Sequence, residues 1–194
     1  EANTISGGLG DDTLRGGNGN DLLVDGGGDG NDVLGGGNGH DQLRVSGGDD
    51  VVYGGAGQDT LFALSQDSGA VIVNLTTGTG TVDDDRVLTL RSIEHVSGDF
   101  GNDRLTGSDG ANLLLGAQGQ DRLDGRPGAD TLVGGIGSDT LIGGTGADVF
   151  EYRFHADSTA AARDVIADFT VNSDRIDLSD LSLPATPFVF LGTG

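Results

Sequence analysis

A nine-residue pattern, Gly-Gly-x-Gly-x-Asp-x-apolar-x, repeats in tandem along most of this chain. Its clearest copy runs from Gly16 to Val24. A unit this short cannot bury its own apolar residue, so the copies must stack on one another to form a shared core. Because the period is fixed, stacking also brings the Asp of each copy to the same place in every layer. The pattern therefore predicts rows of carboxylates in a stacked structure.

The copies form two blocks of six that share three invariant features. The fourth position is always Gly, the sixth is Asp in every copy but one, and the eighth is always apolar. The exception at the sixth position is Asn112. The copies begin at Gly7, Gly16, Gly27, Gly36, Val45 and Gly54 in block one, and at Gly98, Gly107, Gly116, Gly125, Gly134 and Gly143 in block two.

Composition alone would suggest a flexible linker, because Gly provides 38 of the 194 residues. The strict phase of the apolar residues argues against that interpretation. The formal net charge is −21, which argues against binding a nucleic-acid backbone. Of the 31 acidic residues 28 are Asp, a short side chain that suits loops folded around an ion. Without Cys the chain makes no disulfide and no thiolate metal site.

Several other classes of protein are disfavoured by what the sequence lacks. No apolar run is long enough to span a membrane as a helix, and no signal peptide is evident. The three His residues share no metal-binding spacing, and no nucleophile or phosphate-loop motif is present. We therefore expect no catalysis by this chain itself, although a longer parent could carry a catalytic domain. Because the chain starts at Glu1 rather than Met, we interpret it as a piece of a longer or processed protein.

Two successive copies predict one coil of eighteen residues with a turn at each edge. The Gly-rich part of each copy makes the turn, and the last three residues extend as a short strand with the apolar residue inward. Coils then stack in parallel about 4.8 Å apart, giving two sheets around a Leu-rich seam. We divide the chain into block one (1–62), a strand-rich connector (63–97), block two (98–151) and a C-terminal cap (152–194).

The connector and the cap contain their own predicted elements. Strands are predicted at 70–75 and 87–90, with 83–85 as a charged turn between them, and at 164–169 and 175–178 in the cap. Residues 89–97 keep the phase of block two, with Glu94 in the Asp slot and Val96 in the apolar slot. One helical turn is predicted at 160–162, and Pro184 and Pro187 mark a loose end.

The stacking brings the loop of each copy beside the loop two copies later. Asp12 then neighbours Asp32, and Asp41 neighbours both Asp21 and Asp59. Paired carboxylates and turn carbonyls form an all-oxygen cage, which suits Ca²⁺ better than Mg²⁺ or Zn²⁺. An EF-hand at 25–36 fails because Gly36 stands where the bidentate Glu belongs.

The tandem copies resemble the repeats-in-toxin (RTX) family of haemolysin-type calcium-binding repeats. Residues 164–169 and 174–178 are similar to the region after the repeats in serralysin-type metalloproteases and some alginate epimerases. The resemblance implies an all-β fold, a right-handed parallel β-roll of stacked nonapeptide repeats, with several Ca²⁺ ions between the loops. It also implies export by type I secretion machinery and folding in extracellular calcium. The family's C-terminal export signal extends past the region that matches residues 150–181, so we expect it to be truncated where this sequence stops at Gly194.

In the family each ion takes carboxylates from position six and carbonyls from the first four positions of two loops. The carboxylate ligands that the resemblance implies are Asp12, Asp21, Asp32, Asp41, Asp50, Asp59, Asp103, Asp121, Asp130, Asp139 and Asp148. The implied loop glycines are Gly8, Gly10, Gly17, Gly19, Gly28, Gly30, Gly37, Gly39, Gly55, Gly57, Gly119, Gly135, Gly137, Gly144 and Gly146.

Departures from the pattern give further expectations. Asn112 faces the loop containing Arg126-Pro127, so we expect a weakened or absent ion there, with Arg126 available to neutralise Asp130. Val45-Ser46 replaces Gly-Gly and makes that carbonyl geometry doubtful. For Asp157, Asp164 and Asp168 in the cap, turn-capping and an additional calcium site both stay open.

The function expected from these features is that of a calcium-folded module which stabilises its parent and assists its export. Two alternatives stay open: a rigid calcium-loaded segment of an adhesin or surface-layer protein, and the non-catalytic C-terminal module of a secreted protease, lipase or alginate epimerase. In each case the protein would be secreted or at the cell surface, where a glycan or surface partner is an open question.

Overall fold

The computed structural model describes residues 1–65, 69–83 and 85–181, which contain strands, turns and bends and no helix. The strands are β1 Thr4–Ser6, β2 Thr13–Asn18, β3 Leu22–Val24, β4 Val33–Asn38, β5 Gln42–Val45, β6 Asp50–Ala56, β7 Thr60–Ala63, β8 Val71–Asn74, β9 Thr79–Val82, β10 Arg86–Arg91, β11 His95–Ser97, β12 Arg104–Thr106, β13 Leu113–Gly119, β14 Arg122–Asp124, β15 Thr131–Gly137, β16 Thr140–Ile142, β17 Val149–Glu151, β18 Val165–Ile166 and β19 Arg175–Asp177.

The strands form two sheets that face each other along the chain. Sheet one has the order β1-β3-β5-β7-β11-β13-β15-β17-β19, and sheet two has the order β2-β4-β6-β10-β9-β8-β12-β14-β16-β18. All neighbours are parallel except β8–β9 and β9–β10. The predicted all-β architecture of stacked coils, a β-roll, is therefore confirmed. The same two sheets run through all four segments of the sequence.

The apolar residue of each copy lies in the core between the sheets. Leu14 is in register with Leu34 in sheet two, and Leu23 with Leu43 in sheet one. Every eighth-position residue is fully buried except Leu14, which is 7% exposed at the N-terminal end. Because each layer places one such side chain from each sheet in the seam, the core lengthens with every coil but does not thicken.

Glycine allows the coils to approach as closely as they do. Gly37 has φ 115°, a conformation that side chains disfavour, and a Cβ there would overlap the carbonyl oxygen of Gly17 in the neighbouring coil. The two-residue insertion at Asp25-Gly26 is accommodated by a buried carboxylate. Asp25 accepts the amide of Gly26 at 2.6 Å and the amide of Ser46 in the next coil.

The connector differs from the sequence expectation in one respect. The predicted strands are present as β8 and β10, but a third strand, β9, lies between them and pairs antiparallel with both. Sheet two therefore passes from β6 to β12 through three strands, while sheet one passes directly from β7 to β11. Val71, Val73, Val82, Leu88 and Leu90 fill the core at this point. Asp83 and Asp85 lie in turns as predicted, and residue 84 lies outside the described residues.

The C-terminal cap adds one strand to the end of each sheet. The segments predicted as strands contain β18, which pairs with β16, and β19, which pairs with β17. Ile166 and Ile176 pack against the last layer of the core. The predicted helical turn at 160–162 is wrong: these residues form bends, stabilised by hydrogen bonds between Thr159 and Ala162. Pro184, Pro187 and the chain end lie outside the described residues.

One aromatic pair joins the cap to the last coil. The ring of Phe169 lies 6.1 Å from that of the buried Phe150. Such pairs contribute about 0.5–1.5 kcal/mol beyond area burial. We expect Phe169→Leu to raise the amide hydrogen-exchange rate of β18 in saturating calcium by several-fold and to leave the central strands unchanged. Val171→Ala, at a side chain that is 73% exposed, is the control. Equal exchange in both variants would contradict this docking.

Candidate calcium sites

The sixth-position side chains form two rows, one along each edge of the roll. Row one precedes the strands of sheet one and row two precedes those of sheet two. Row one contains Asn3, Asp21, Asp41, Asp59, Glu94, Asn112, Asp130, Asp148 and Asp174, and row two contains Asp12, Asp32, Asp50, Asp103, Asp121, Asp139 and Asp164. Each row thus joins loops that are two copies apart, as the sequence predicted.

Most carboxylates of the two rows use one oxygen in a ladder of hydrogen bonds. The amide of Asp21 donates to Oδ1 of Asp41, and the amide of Asp41 donates to Oδ1 of Asp59, both at 2.8 Å. The amide of Asp103 donates to Oδ1 of Asp121 at the same distance in row two. These bonds fix the rotation of the carboxylates that accept them and direct the second oxygen toward the loop of the same copy.

The second oxygen is buried and has no protein partner at most positions of the rows. A buried carboxylate oxygen without a donor carries a desolvation cost that native proteins rarely tolerate. Among the described residues the buried Oδ2 atoms without a hydrogen bond belong to Asp12, Asp21, Asp41, Asp59, Asp103, Asp121, Asp130, Asp139, Asp148 and Asp164. These atoms require a positive ligand if they are ionised.

A glycine at the first position of most copies leaves room for such a ligand. A Cβ on Gly7 would lie 2.6 Å from both Oδ2 of Asp12 and the carbonyl oxygen of Asp25. The same arrangement recurs at Gly125, where a Cβ would lie 2.5 Å from Oδ2 of Asp130 and 2.7 Å from the carbonyl oxygen of Gly143. These copies thus form oxygen-lined cradles that any larger residue would fill.

The carbonyls at the second and fourth positions also point along the stack. A Cβ on Gly55 would overlap the carbonyl oxygen of Gly37, and a Cβ on Gly57 would overlap that of Gly39. No three acidic or His side chains converge anywhere in the described ranges. The donor set is therefore at most two carboxylates with several carbonyls, which is the all-oxygen set that Ca²⁺ prefers.

Burial makes several of the row carboxyls poor acids in the absence of a cation. Burial, together with the charges of Asp103 and Asp139, raises the pKa of Asp121 to about 7. Burial likewise raises the pKa of Asp50 and of Asp130 to about 7. The rows are therefore strained when ionised and empty, and a bound cation would relieve that strain.

Comparison with known families agrees with this chemistry. Residues 1–24, 26–61 and 92–123 match the family model described as RTX calcium-binding nonapeptide repeat (4 copies). The repeats in these segments match the RTX family. RTX nonapeptide repeats bind multiple Ca²⁺ ions, which confirms the predicted cofactor. Residues 128–192 match the model of the peptidase M10 serralysin C terminal, as the cap segments indicated. No curated protein matches the chain significantly.

The pKa shifts give the RTX roll a specific pH dependence. In the calcium-free roll the folded-state pKa of Asp121 and Asp130 lies above the unfolded value of about 3.9, so their contribution favours folding at low pH and is lost as the pH rises through about 7. Calcium needs the ionised form, so its affinity should fall below pH 7. We expect circular dichroism of the chain in chelator to show more β signal at pH 5 than at pH 8, because the row carboxyls of the calcium-free roll are protonated at the lower pH. Equal β signal at both pH values would contradict the shifts.

Asn112 shows why one RTX site departs from the others. Its Oδ1 accepts the amide of Ser108 at 2.7 Å, and its Nδ2 donates to the carbonyl of Glu94 at 2.7 Å. The neutral amide is thus satisfied without an ion. Arg126 keeps the left-handed conformation of the glycine that it replaces, with φ 77°, but it is exposed and makes no ion pair with Asp130. Neutralisation by Arg126 is therefore wrong, and a weakened ion at Asn112 stays a prediction.

The three acids of the cap have different environments. Asp157 accepts the amides of Arg153 and Phe154. Asp168 accepts the amides of Gly143 and Gly144. Each of these two carboxylates therefore serves as the cap of a turn. Asp164 instead continues row two, because its Oδ1 accepts the amide of Asp139 at 3.0 Å. Burial raises its pKa to about 7. Asp164 takes the place of a sixth-position Asp, but no glycine-rich loop precedes it. The sequence around it therefore did not distinguish turn-capping from an additional calcium site.

A second ladder, absent from the sequence analysis, runs through the fifth positions. The amide of His40 donates to Oδ1 of Asn20 at 2.9 Å, and Nδ1 of His40 accepts the amide of Gln58 at 2.9 Å. His95 makes a comparable bond, in which Nδ1 accepts the amide of Leu113, and burial lowers its pKa. The polar residues Asn, Asp, Gln and His at the fifth position of the copies were the sequence signal that could have indicated this ladder.

Proposed function

We propose that this chain is a calcium-folded module that stabilises a type I-secreted protein and assists its export. Calcium-binding RTX repeats and a serralysin C-terminal segment fit a module of such a protein. That segment is not the protease domain, and we propose that the chain does not itself catalyse a reaction. We propose an extracellular or cell-surface location for the same reason, with the secretion machinery as a transient partner.

The observation that carries this proposal is the set of buried carboxylate oxygens without partners. Ionised carboxylates lie in successive layers about 4.8 Å apart, and the net charge is −21. Without a cation their repulsion and desolvation oppose a core that is only one seam wide. When calcium binds, its binding free energy becomes folding free energy, because the cradles exist only in the stacked state. Folding should therefore follow the calcium concentration.

We assign the ion ligands to residues that line these cradles. The proposed carboxylates are the eleven sixth-position Asp residues of the two blocks, and the proposed carbonyls come from the first, second and fourth positions of facing loops. Val45-Ser46 lacks the glycine pair, but Gly48 keeps a positive φ of 73° and lies against the carbonyl oxygen of Gly30. We therefore propose that this loop contributes through its fourth position.

A role in export follows from the two calcium concentrations that a secreted chain meets. Extracellular RTX-type modules bind calcium at about 10⁻⁴–10⁻³ M, so the chain would stay unfolded inside the cell and fold outside. A chain that folds after emerging cannot slide back, which favours outward movement. Residues 1–62 and 98–151 would act as the two calcium-loaded blocks, 63–97 as the connector and 152–194 as the cap.

The test is secretion of a reporter fused upstream of this chain, with a type I export signal added at the C-terminus, in cells that have the matching exporter. Export should fall when external calcium is chelated and recover when calcium, but not magnesium, is restored. A variant with Asp21, Asp41 and Asp59 changed to Asn should export slowly even in calcium. Export that is independent of external calcium in both proteins would remove the role in secretion and leave a calcium-stabilised spacer.

A further inference from the structure

We infer a calcium site at the connector, formed by Asp59 of block one together with Ser92 and Glu94. This site lies outside the nonapeptide pattern, because residues 89–97 contain no Gly-Gly-x-Gly loop. The inference rests on the proposed function, since it assigns one more cation to the same row. It concerns a junction where only one side of the cage comes from a repeat.

The first observation is the orientation of Asp59. The side chain is fully buried, and its Oδ2 has no hydrogen-bond partner. Its Oδ1 accepts the amide of Asp41 at 2.8 Å, as in the rest of row one. Burial raises the pKa of Asp59, and the charges of Asp41 and Glu94 raise it further. Asp59 therefore has the same buried carboxylate oxygen without a partner as the Asp residues inside the blocks, and a cation would satisfy it in the same way.

The second observation is that Ser92 supplies the carbonyl that a repeat glycine supplies elsewhere. In block one, a Cβ on Gly36 would meet Oδ2 of Asp41 and the carbonyl oxygen of Gly54. At the junction, a Cβ on Gly54 would meet Oδ2 of Asp59 at 2.6 Å and would overlap the carbonyl oxygen of Ser92. The cradle is thus complete on the connector side.

Ser92 reaches this place through an unusual backbone conformation. Its φ is 51°, in the left-handed region that non-glycine residues rarely adopt. Glu94 follows Ser92 by two positions, whereas the Asp of a repeat follows the first glycine by five. Glu94 has one methylene more than Asp, and its Oε2 accepts the amide of Asp59 at 2.9 Å. A short turn and a longer acid together rebuild the geometry of a nonapeptide loop.

The position of this cage gives it a specific consequence. Row two is interrupted by β8, β9 and β10, whereas row one continues from Asp59 to Glu94 and on to Asn112. The step from Glu94 to Asn112 is made by a neutral amide hydrogen bond. A cation held between Asp59 and Glu94 would therefore fasten the end of block one to strand β11, where sheet one crosses the connector.

The test compares Glu94→Gln with the wild-type chain by native mass spectrometry and calorimetry in calcium. The amide of Gln keeps an acceptor for Asp59 but removes the charge, so we expect one fewer calcium per chain. We also expect at least tenfold faster amide exchange at β7 and β11, with the distant β3 and β15 unchanged. Glu151→Gln, whose carboxylate pairs with Arg153 at 2.9 Å outside both rows, is the matched control and should keep every ion.

A second variant guards against a simple failure of folding. Ser92→Gly relieves the left-handed strain and keeps the carbonyl, so it should bind the full number of ions and be at least as stable as the wild type. If the wild type binds several ions and Glu94→Gln binds the same number, the junction site is wrong and the proposed function stands. If the wild type binds none, the proposed function itself fails.

Discussion

Substitution of Gly36 by Ala should remove a calcium ion, whereas substitution of Gly35, its neighbour in β4, should remove none. A methyl group on Gly36 would occupy the cradle next to Oδ2 of Asp41, 2.7 Å from the carbonyl oxygen of Gly54. Neither glycine has a positive φ, so backbone strain does not separate the two changes. Overpacking of this kind costs about 1–3 kcal/mol. The lost ion adds about 1.4 kcal/mol when free calcium is ten times the Kd.

Gly35 provides the control because it lies on the outer face of the same strand. The nearest atom to a Cβ there is the carbonyl oxygen of Leu14, at 3.8 Å. Gly35→Ala should be neutral or stabilise the fold by up to about 1 kcal/mol, because it restricts the unfolded chain. Calcium stoichiometry and thermal unfolding in excess calcium measure both effects. Equal stoichiometry in the two variants would show that the cradle does not hold the ion.

Asp121→Asn should have opposite effects on the calcium-free and calcium-loaded roll. The amide oxygen can still accept the amide of Asp103, which Oδ1 of Asp121 accepts at 2.8 Å. Removing the charge relieves repulsion from Asp103 and Asp139 and the desolvation that raises the pKa of Asp121 to about 7. In chelator at pH 8 the variant should therefore show more β signal than the largely unfolded wild type. The calcium-loaded roll should lose one or two ions, and about 1.4 kcal/mol for each at ten times the Kd.

The matched control for this charge change is Asp109→Asn, at an exposed side chain outside both rows. It removes one negative charge without filling a cradle, so ion number and calcium dependence should stay as in the wild type. Circular dichroism in chelator and denaturant unfolding in calcium measure the two effects. An unchanged ion number together with lower stability in calcium would mean that the carboxylate of Asp121 is structural rather than a calcium ligand.

The regular part of the roll follows from the sequence because one rule applies at every copy. A glycine at positions one, two and four, an Asp at six and an apolar residue at eight each have a single place in a coil. Leu123 and Asp121 therefore lie where the period puts them: one in the seam and the other in row two. The pairing of Asp12 with Asp32 survives even the insertion at Asp25-Gly26, because Asp25 turns inward and satisfies the extra amides.

The parts that the sequence did not determine are those where no repeat constrains the chain. Strand β9, Thr79–Val82, contains Gly80 and two Thr residues, so its local pattern was weak, and only pairing with β8 and β10 makes it a strand. The turn at Ser92 needs a residue with positive φ, which the amino acids around Ser92 do not indicate. Both features depend on contacts with distant strands, which local propensity does not contain.

In the C-terminal cap, too, the roles of the acidic residues could not be predicted from the sequence. Asp164 and Asp174 continue rows two and one, although neither follows a glycine-rich loop. Asp174 also accepts the amide of Thr170 at 2.7 Å with its other oxygen, so it is satisfied without a cation. Whether an acid in the cap resembles a repeat Asp or closes a turn therefore depends on the donors around its second oxygen.

The most direct test of the central claim is circular dichroism of the chain during a calcium titration that starts from chelator, with magnesium as the control. The account predicts a largely unfolded chain at pH 8 in chelator, a cooperative gain of β signal as calcium reaches about 10⁻⁴–10⁻³ M, and no such gain with magnesium. A chain that is already folded in chelator, with a spectrum that calcium leaves unchanged, would show that the buried carboxylate rows are not coupled to folding.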